Sequence, residues 1–324
     1  MCATSIRVSI GTAGVLGLAQ VHMAVAPTTA YLMLGERCAM NCAFCAQARG
    51  SQADEAALSR VRWPAFPMDA VCARLGEAGR LGAVRRCCIQ VTAGRDAHRE
   101  TVEAVRQICQ ATSLPLDVAI LPASMDQVAE LIAAGVDHVG FGLDAACERV
   151  FRQVKGPHWG RMLAMIAGTA RRFPGRAAVH LIVGLGETEQ EMVERMAWAH
   201  GQGAVVGLFS FTPVQGTALA DHPPPPLARY RRMQAARWLI VCHGARLAGD
   251  AVGLEFDARG ALCGIALPGW PALLADGEAF RTSGCPDCNR PFYNERPGGT
   301  MYNYPCPLEA DEAQRAIREM EMAV

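Results

Sequence analysis

Neither sign of charge prevails in this chain: 31 lysines and arginines stand against 31 aspartates and glutamates over 324 residues. Phosphate backbones are bound by a basic excess, so the balance argues against nucleic acid as the main partner, though it leaves room for a local basic patch. A run of about twenty apolar residues is also missing, which argues against a membrane span, and there is no internal repeat. Nor is there a disulfide framework. The fourteen cysteines are scattered along a chain long enough to need no staples, and a reducing compartment, the cytoplasm, fits them best. Four of them, Cys72, Cys109, Cys147 and Cys242, fall in helix-like apolar stretches and read as small buried hydrophobes. The segment Val8–Ala26 ends in Ala24-Val25-Ala26, like a cleavage site, but Gln20 and His22 interrupt it and Arg7 is its only charge. It reads as a cover over the core rather than a secretion signal.

Strand-like and helix-like segments alternate through most of the chain. Strands are predicted at Thr28–Gly35, Cys87–Ala93, Leu116–Ile120, His138–Asp144, Ala178–Leu185 and Val205–Phe211. Helices are predicted at Met68–Leu81, Thr101–Cys109, Met125–Ala134 and Arg161–Phe173, and Thr188-Glu189-Gln190-Glu191 is a capping box that opens another. Short strands, apolar on both faces and separated by helices, make a parallel sheet. The expected fold is α/β, a partial (β/α)6 TIM-type barrel with a C-terminal cysteine-containing extension. Pro223–Pro226 cannot be helical and reads as a linker. The division is therefore 1–27 N-terminal segment, 28–219 barrel and 220–324 extension, with helices at Leu227–Cys242 and Asp311–Met322.

The most informative run is Cys38-Ala-Met-Asn-Cys42-Ala-Phe-Cys45, on the loop that leaves the first barrel strand. Strand ends are where α/β folds place chemistry. A C-x3-C-x2-C run binds three irons of a [4Fe–4S] cluster and leaves the fourth open to substrate or cofactor. Zinc is the alternative, but its sites use two C-x2-C pairs or a pair with histidines, and no fourth ligand lies near this run. A second constellation is Cys285-Pro-Asp-Cys288 on a Gly/Pro turn, with Cys306 following in Tyr302-Asn-Tyr-Pro-Cys306-Pro and Cys263 as a candidate fourth ligand. It reads as an auxiliary iron–sulfur site or as a structural zinc knuckle.

With Phe44 before the last cysteine, the first run resembles the signature of the radical S-adenosylmethionine enzymes, and the resemblance covers roughly Thr28 to Leu219. It implies that Cys38, Cys42 and Cys45 hold a [4Fe–4S] cluster whose open iron takes S-adenosylmethionine. Reductive cleavage of that sulfonium then yields a radical that abstracts hydrogen from unactivated carbon. Ile182-Val-Gly-Leu-Gly-Glu187 looks like the family's strand-five motif, which puts Ile182 on adenine and Glu187 at the cofactor pocket. Thr92-Ala93-Gly94 stands where many members carry Gly-Gly-Glu for the cofactor amine. By similarity to biotin synthase, Asp144 contacts the ribose and Arg161 the carboxylate, while a helix N-cap role stays open for Asp144.

Biotin synthase has the nearest layout, and Cys87 or Cys88 matches its strand-two ligand to a second cluster. Asp117 and Ala178 stand where that enzyme has two more cysteines, and its arginine ligand has no counterpart in sequence. The segment Cys288-Asn-Arg-Pro-Phe-Tyr-Asn-Glu-Arg-Pro-Gly-Gly instead resembles the two-component lipoyl synthases. This implies sulfur insertion into an octanoyl chain on a lipoyl carrier protein, from a sacrificial auxiliary [4Fe–4S] cluster at Cys285, Cys288 and Cys306. The expected partners are the octanoylated carrier, a sister radical lipoyl synthase and a one-electron donor of ferredoxin or flavodoxin type. Arg290 and Arg296 are candidates to meet an acidic carrier. The alternative is a radical rearrangement or cofactor-maturation enzyme whose C-terminal metal site is structural. His180 reads as a hydrogen-bonded structural histidine.

Overall fold

A computed structural model describes residues 4–247, 253–295 and 298–322. The chain opens with β1 (Ser5–Val8), α1 (Ile10–Val15) and β2 (Thr29–Leu34). A long loop then carries the hairpin β3 (Ala57–Leu58) and β4 (Val61–Arg62) and leads to β5 (Ala65–Pro67). Alternation follows: α2 (Met68–Arg80), β6 (Arg86–Val91), α3 (Ala97–Ala111), β7 (Leu116–Ala119), α4 (Met125–Ala133) and β8 (His138–Asp144). It continues through α5 (Glu148–Val154), α6 (Trp159–Arg172), β9 (Ala177–Val183), α7 (Glu189–Gly201), β10 (Val205–Ser210) and α8 (Leu227–His243). A small sheet of β11 (Arg246–Leu247), β12 (Gly253–Phe256) and β13 (Leu262–Ile265) and a last helix α9 (Ala310–Arg318) complete it.

Strands β2, β6, β7, β8, β9 and β10 are neighbours in that order and pair in parallel. Parallel neighbours need long crossovers, and each one here contains at least one helix. Helices on the outside bury that face of the sheet, so the strands are nearly unbroken apolar runs; Val139, Phe141 and Leu143 of β8 are all fully buried. The outer helices meet the sheet through one stripe each. In α3 the stripe is Val102, Val105 and Ile108, all buried, as the i, i+3, i+6 spacing requires. This is the open-sided barrel that the alternation predicts.

Four features differ from expectation. The N-terminal segment is part of the sheet: β1 pairs antiparallel with β2 and β5, and Thr12 and Ser9 bond the Tyr31 backbone at 3.0 Å each. The proline run does not separate two units, because Pro226 is the N-cap of α8 and Arg237 of α8 donates to the Val206 carbonyl of β10 at 2.8 Å. The sixth β/α unit thus takes its helix from beyond the prolines. Helix α5, seven residues long, is too short for its periodicity to show in the sequence. Cys109 and Cys242 are exposed and Cys72 and Cys147 only half-buried, so none of these four is a core residue.

An open barrel leaves backbone groups of its last strand unpaired. The segment 283–294 satisfies them. Ser283 Oγ accepts from Leu208 N at 2.9 Å, and Asn294 Nδ2 donates to the Ser210 carbonyl at 2.8 Å. On its other side Asn289 accepts from Thr28 N (2.9 Å) and donates to the Ala26 carbonyl (3.0 Å), while Arg290 N donates to the Tyr31 hydroxyl at 2.9 Å. The gap between β10 and β2 is filled by the extension. Gly284 adopts φ 125°, a backbone conformation that L side chains rarely take, so glycine suits this position.

The predicted capping box is formed, with Thr188 Oγ1 accepting from Glu191 N at 3.1 Å and Glu191 Oε2 from Thr188 N at 2.8 Å. Thr188→Ala removes one partner of the first turn of α7 and should lower stability by about 1 kcal/mol in urea titration, with an unchanged m-value.

Candidate active site

A cavity of about 540 Å³ lies at the C-terminal ends of the barrel strands, and Cys38, Cys42 and Cys45 all line it. Their loop is tied down by arginines and a glutamine that the motif does not include. Arg37 donates to the carbonyls of Ala48 (3.2 Å) and Ser51 (2.9 Å), and Arg7 reaches the Gly35 carbonyl at 2.6 Å. Buried Gln47 donates to the carbonyls of Glu55 (2.8 Å) and Ala57 (2.6 Å). Such fixed loops present ligands without reorganisation.

All three cysteines are free thiols. Burial raises Cys42 to about 11 and Cys45 to about 12, and the neighbouring cysteines push in the same direction. Lys155 pulls Cys42 the other way without overcoming burial, and a cluster of irons would supply the further positive charge that three thiolates need. Cys38 Sγ also accepts the Ala93 amide at 3.2 Å, the kind of bond that stabilises a thiolate. The residues therefore fit an iron–sulfur cluster.

Asp144 ends β8 after a bulge and adopts a left-handed φ of 63°, which turns its carboxylate into the cavity. It does not cap a helix, since Cys147 is the N-cap of α5. Its partner is Lys155, at 2.5 Å, which also donates to the Gly142 carbonyl. Burial opposes the charge on Lys155, but Asp144 and Cys42 outweigh it and raise its pKa. Lys155 is the only lysine in the sequence. That compositional oddity was the signal for it, and motif reading passed it over.

The other predicted residues divide. Phe44, Thr92, Arg161 and Ile182 line the cavity. Arg161 is exposed at its mouth, held by the Ala123 carbonyl at 2.8 Å, with no acidic partner among the described residues. Gly94 and Glu187 do not line it. Gly94 is exposed with open space around it. Glu187 is turned inward: its oxygens accept from Gly184 N (2.8 Å) and Leu185 N (2.9 Å), and Arg229 pairs with it at 2.8 Å. It shapes the turn after β9 rather than the cavity surface.

A second cavity, about 390 Å³, lies deeper in the barrel. Cys88, Cys285 and Cys288 line it. Cys306 and Cys263 are exposed elsewhere. Cys88 faces this interior, beside Cys285 and Cys288, whereas Cys87 is buried outside it, with Cys72 and Cys109 near it on the helix side. Strand alternation requires that split. Arg290, expected to meet an acidic carrier, instead lines this cavity and stacks over Phe209 with its guanidinium 3.7 Å from the ring centre. Arg296 lies outside the described residues.

The two cavities share Gln90, His180, Phe209 and Tyr293. His180 stacks edge-on against Phe209 at 5.4 Å, and Phe209 against Tyr293 at 6.0 Å. Burial and then Arg290 lower the pKa of His180 to about 4, which keeps it neutral.

Residues 32–199 match the Radical SAM superfamily. Two curated lipoyl synthases are similar. The protein from Nocardia farcinica is 29% identical over 175 residues, 53% of this chain and 47% of the relative. The protein from Beutenbergia cavernae is 29% identical over 182 residues, 53% of this chain and 50% of the relative. The chain thus spans about half the length of the curated relatives it matches. Among solved structures, HydG, a maturase of the [FeFe]-hydrogenase, superposes with a TM-score of 0.55 at 12% identity, covering 66% of this chain and 50% of HydG. Methylornithine synthase (PylB) superposes with a TM-score of 0.50 at 12% identity, covering 64% of this chain and 62% of PylB. These likenesses concern the fold.

Because the folded chain refuses a proton on His180 until about pH 4 while the unfolded chain accepts it near 6.5, stability falls as pH drops through that window. The loss at the acid end is at most roughly 3 kcal/mol. Urea titrations at pH 7 and pH 4.5 should show a smaller acid penalty in His180→Phe than in the unmodified chain.

Proposed function

From the premise that this chain belongs to the radical SAM superfamily, we propose that it inserts sulfur into an octanoyl chain carried by a lipoyl carrier protein. The observation that carries the reading is the pair of cysteine-lined cavities with a common wall. One holds the thiols that bind the radical-generating cluster, and the other holds thiols for an auxiliary [4Fe–4S] cluster as the sulfur source. The similarity to lipoyl synthases over half the chain supports the same substrate class.

When bound, the first cluster and S-adenosylmethionine supply a primary carbon radical that takes a hydrogen atom from an unactivated carbon. The chain's own residues do the rest. Cys38, Cys42 and Cys45 would hold three irons of the cluster and leave one position free. Lys155 holds Asp144 with its carboxylate in the cavity, where it accepts hydroxyl groups of the ribose, and Arg161 at the mouth meets the cofactor carboxylate. Ile182 and Phe44 give apolar surface that excludes water from the radical. Neutral His180, Phe209 and Tyr293 form an apolar-faced divide that an aliphatic chain crosses at little desolvation cost. The overall exchange replaces one C–H bond of the octanoyl chain by a C–S bond. The auxiliary cluster, when bound, would supply the sulfur and accept the electron released, and the hydrogen atom would leave on the adenosyl carbon.

The reaction needs an octanoylated carrier, a one-electron donor and, for the second thiolation, a sister enzyme. It belongs in a reducing compartment such as the cytoplasm, and no helix among the described residues is long and apolar enough to cross a membrane. A second reading keeps the radical step and makes the C-terminal metal structural. It draws on Asp117, His138 and Cys285, whose ligand atoms lie within 4.8 Å of one another, close enough for a single ion.

Anaerobic protein with reductant, S-adenosylmethionine and an octanoylated carrier should yield thiolated octanoyl groups together with loss of auxiliary-cluster iron. Cys285→Ala and Cys288→Ala should abolish thiolation while 5′-deoxyadenosine formation persists. Thiolation without cluster loss rejects the sacrificial role. Absence of 5′-deoxyadenosine in the unmodified protein rejects the radical chemistry. For Lys155→Met, which leaves Asp144 unpaired, 5′-deoxyadenosine formation should fall at least about tenfold.

A further inference from the structure

The second cavity is built from parts far apart in sequence. Cys88 comes from β6, in the barrel wall, and Cys285 and Cys288 come from the segment that fills the barrel's open side. That segment is locally strained. Three of the six non-glycine residues with positive φ among the described residues, Asp287 (62°), Arg290 (35°) and Phe292 (55°), fall within it. Strain of this kind persists where surrounding structure over-determines it, and here the Arg290 amide is held by the Tyr31 hydroxyl at 2.9 Å. The Tyr31 hydroxyl lies 3.4 Å from Cys288 Sγ, and Gln90 Nε2 lies 3.1 Å from Cys88 Sγ, so both thiols already have polar neighbours suited to sulfur.

A single ion at Asp117, His138 and Cys285 is disfavoured by what already sits there. The Arg86 guanidinium is held by Asp117 at 2.8 Å and by Asp137 at 2.7 Å, and His138 Nδ1 bonds the same Asp117 oxygen at 3.0 Å. A buried cation thus neutralises those carboxylates, and a metal ion beside it would be repelled. Cys88 and Cys288 stand outside that trio. The cavity volume of about 390 Å³ also suits a group larger than one ion.

We infer that the auxiliary cluster is held by Cys88, Cys285 and Cys288 inside the barrel, with no fourth cysteine, and that Cys306 and Cys263 take no part. The inference deepens the sulfur-donor reading and rests on it for the kind of metal group. Three ligands would leave one iron of the auxiliary cluster without a protein thiolate.

The test is iron and sulfide content after anaerobic reconstitution of the full chain. In a background with Cys38, Cys42 and Cys45 all changed to alanine, about four irons should remain per chain, all in the auxiliary cluster. Adding Cys88→Ala should remove nearly all of them, as should adding Cys288→Ala, whereas Cys306→Ala and Cys263→Ala should remove none. A label-based arm needs no variant. In the unmodified chain the reconstituted cluster should protect Cys88, Cys285 and Cys288 from alkylation, and Cys306 should label equally with and without iron. Retention of iron in the Cys88→Ala chain, or protection of Cys306, overturns the ligand set but leaves the sulfur-donor reading standing. About one zinc per chain, lost on Asp117→Asn, overturns both. An iron-free background chain also overturns both.

Discussion

The molecule depends on how the free edge of a six-stranded parallel sheet is satisfied. A parallel barrel that stops short of closing exposes donors and acceptors on its last strand, and burying them unpaired costs more than a marginally stable fold can bear. Here side chains of the extension do the pairing, through Ser283, Arg290 and Asn294 on β10 and through Asn289 at the start of β2. The same solution places Cys285 and Cys288 against the barrel interior. Structural closure and the second thiol site are one device, and neither is available without the other.

Electrostatics in the upper cavity are set by a small number of charges in dry surroundings. Asp144 and Lys155 form a pair with side chains 14% and 9% exposed, so the carboxylate keeps its place with little competition from water. The thiols near it resist ionisation because burial and mutual repulsion act together. His180 solves the opposite problem by shedding its charge. The wall between the cavities is therefore neutral although Arg290 lies just behind it, stacked on Phe209.

Much of this was legible in the sequence. Strand β8 lies at His138–Asp144 as expected, because a run buried on both faces admits few other readings. The Cys38–Cys45 spacing located the upper cavity outright, since it encodes a local shape. Long-range features did not show. Nothing in Cys288-Asn-Arg-Pro reveals that Asn289 meets Thr28, and proximity along the chain favoured Cys306 over Cys88. Arg7 and Gln47, which hold the cysteine loop, act through backbone carbonyls and leave no motif. Glu187 shows the reverse error: a residue inside a recognisable motif proved to brace a turn.

The bond between Thr28 and Asn289 joins positions 261 residues apart. Contacts of such separation form late, because most of the chain must be ordered before they repay the entropy of closing so long a loop. During synthesis and folding the six-stranded framework is complete while its interior still faces solvent on one side. Cys285 and Cys288 reach the cavity lined by Cys88 only when the C-terminal segment docks, so that cavity is the last part of the molecule to take shape.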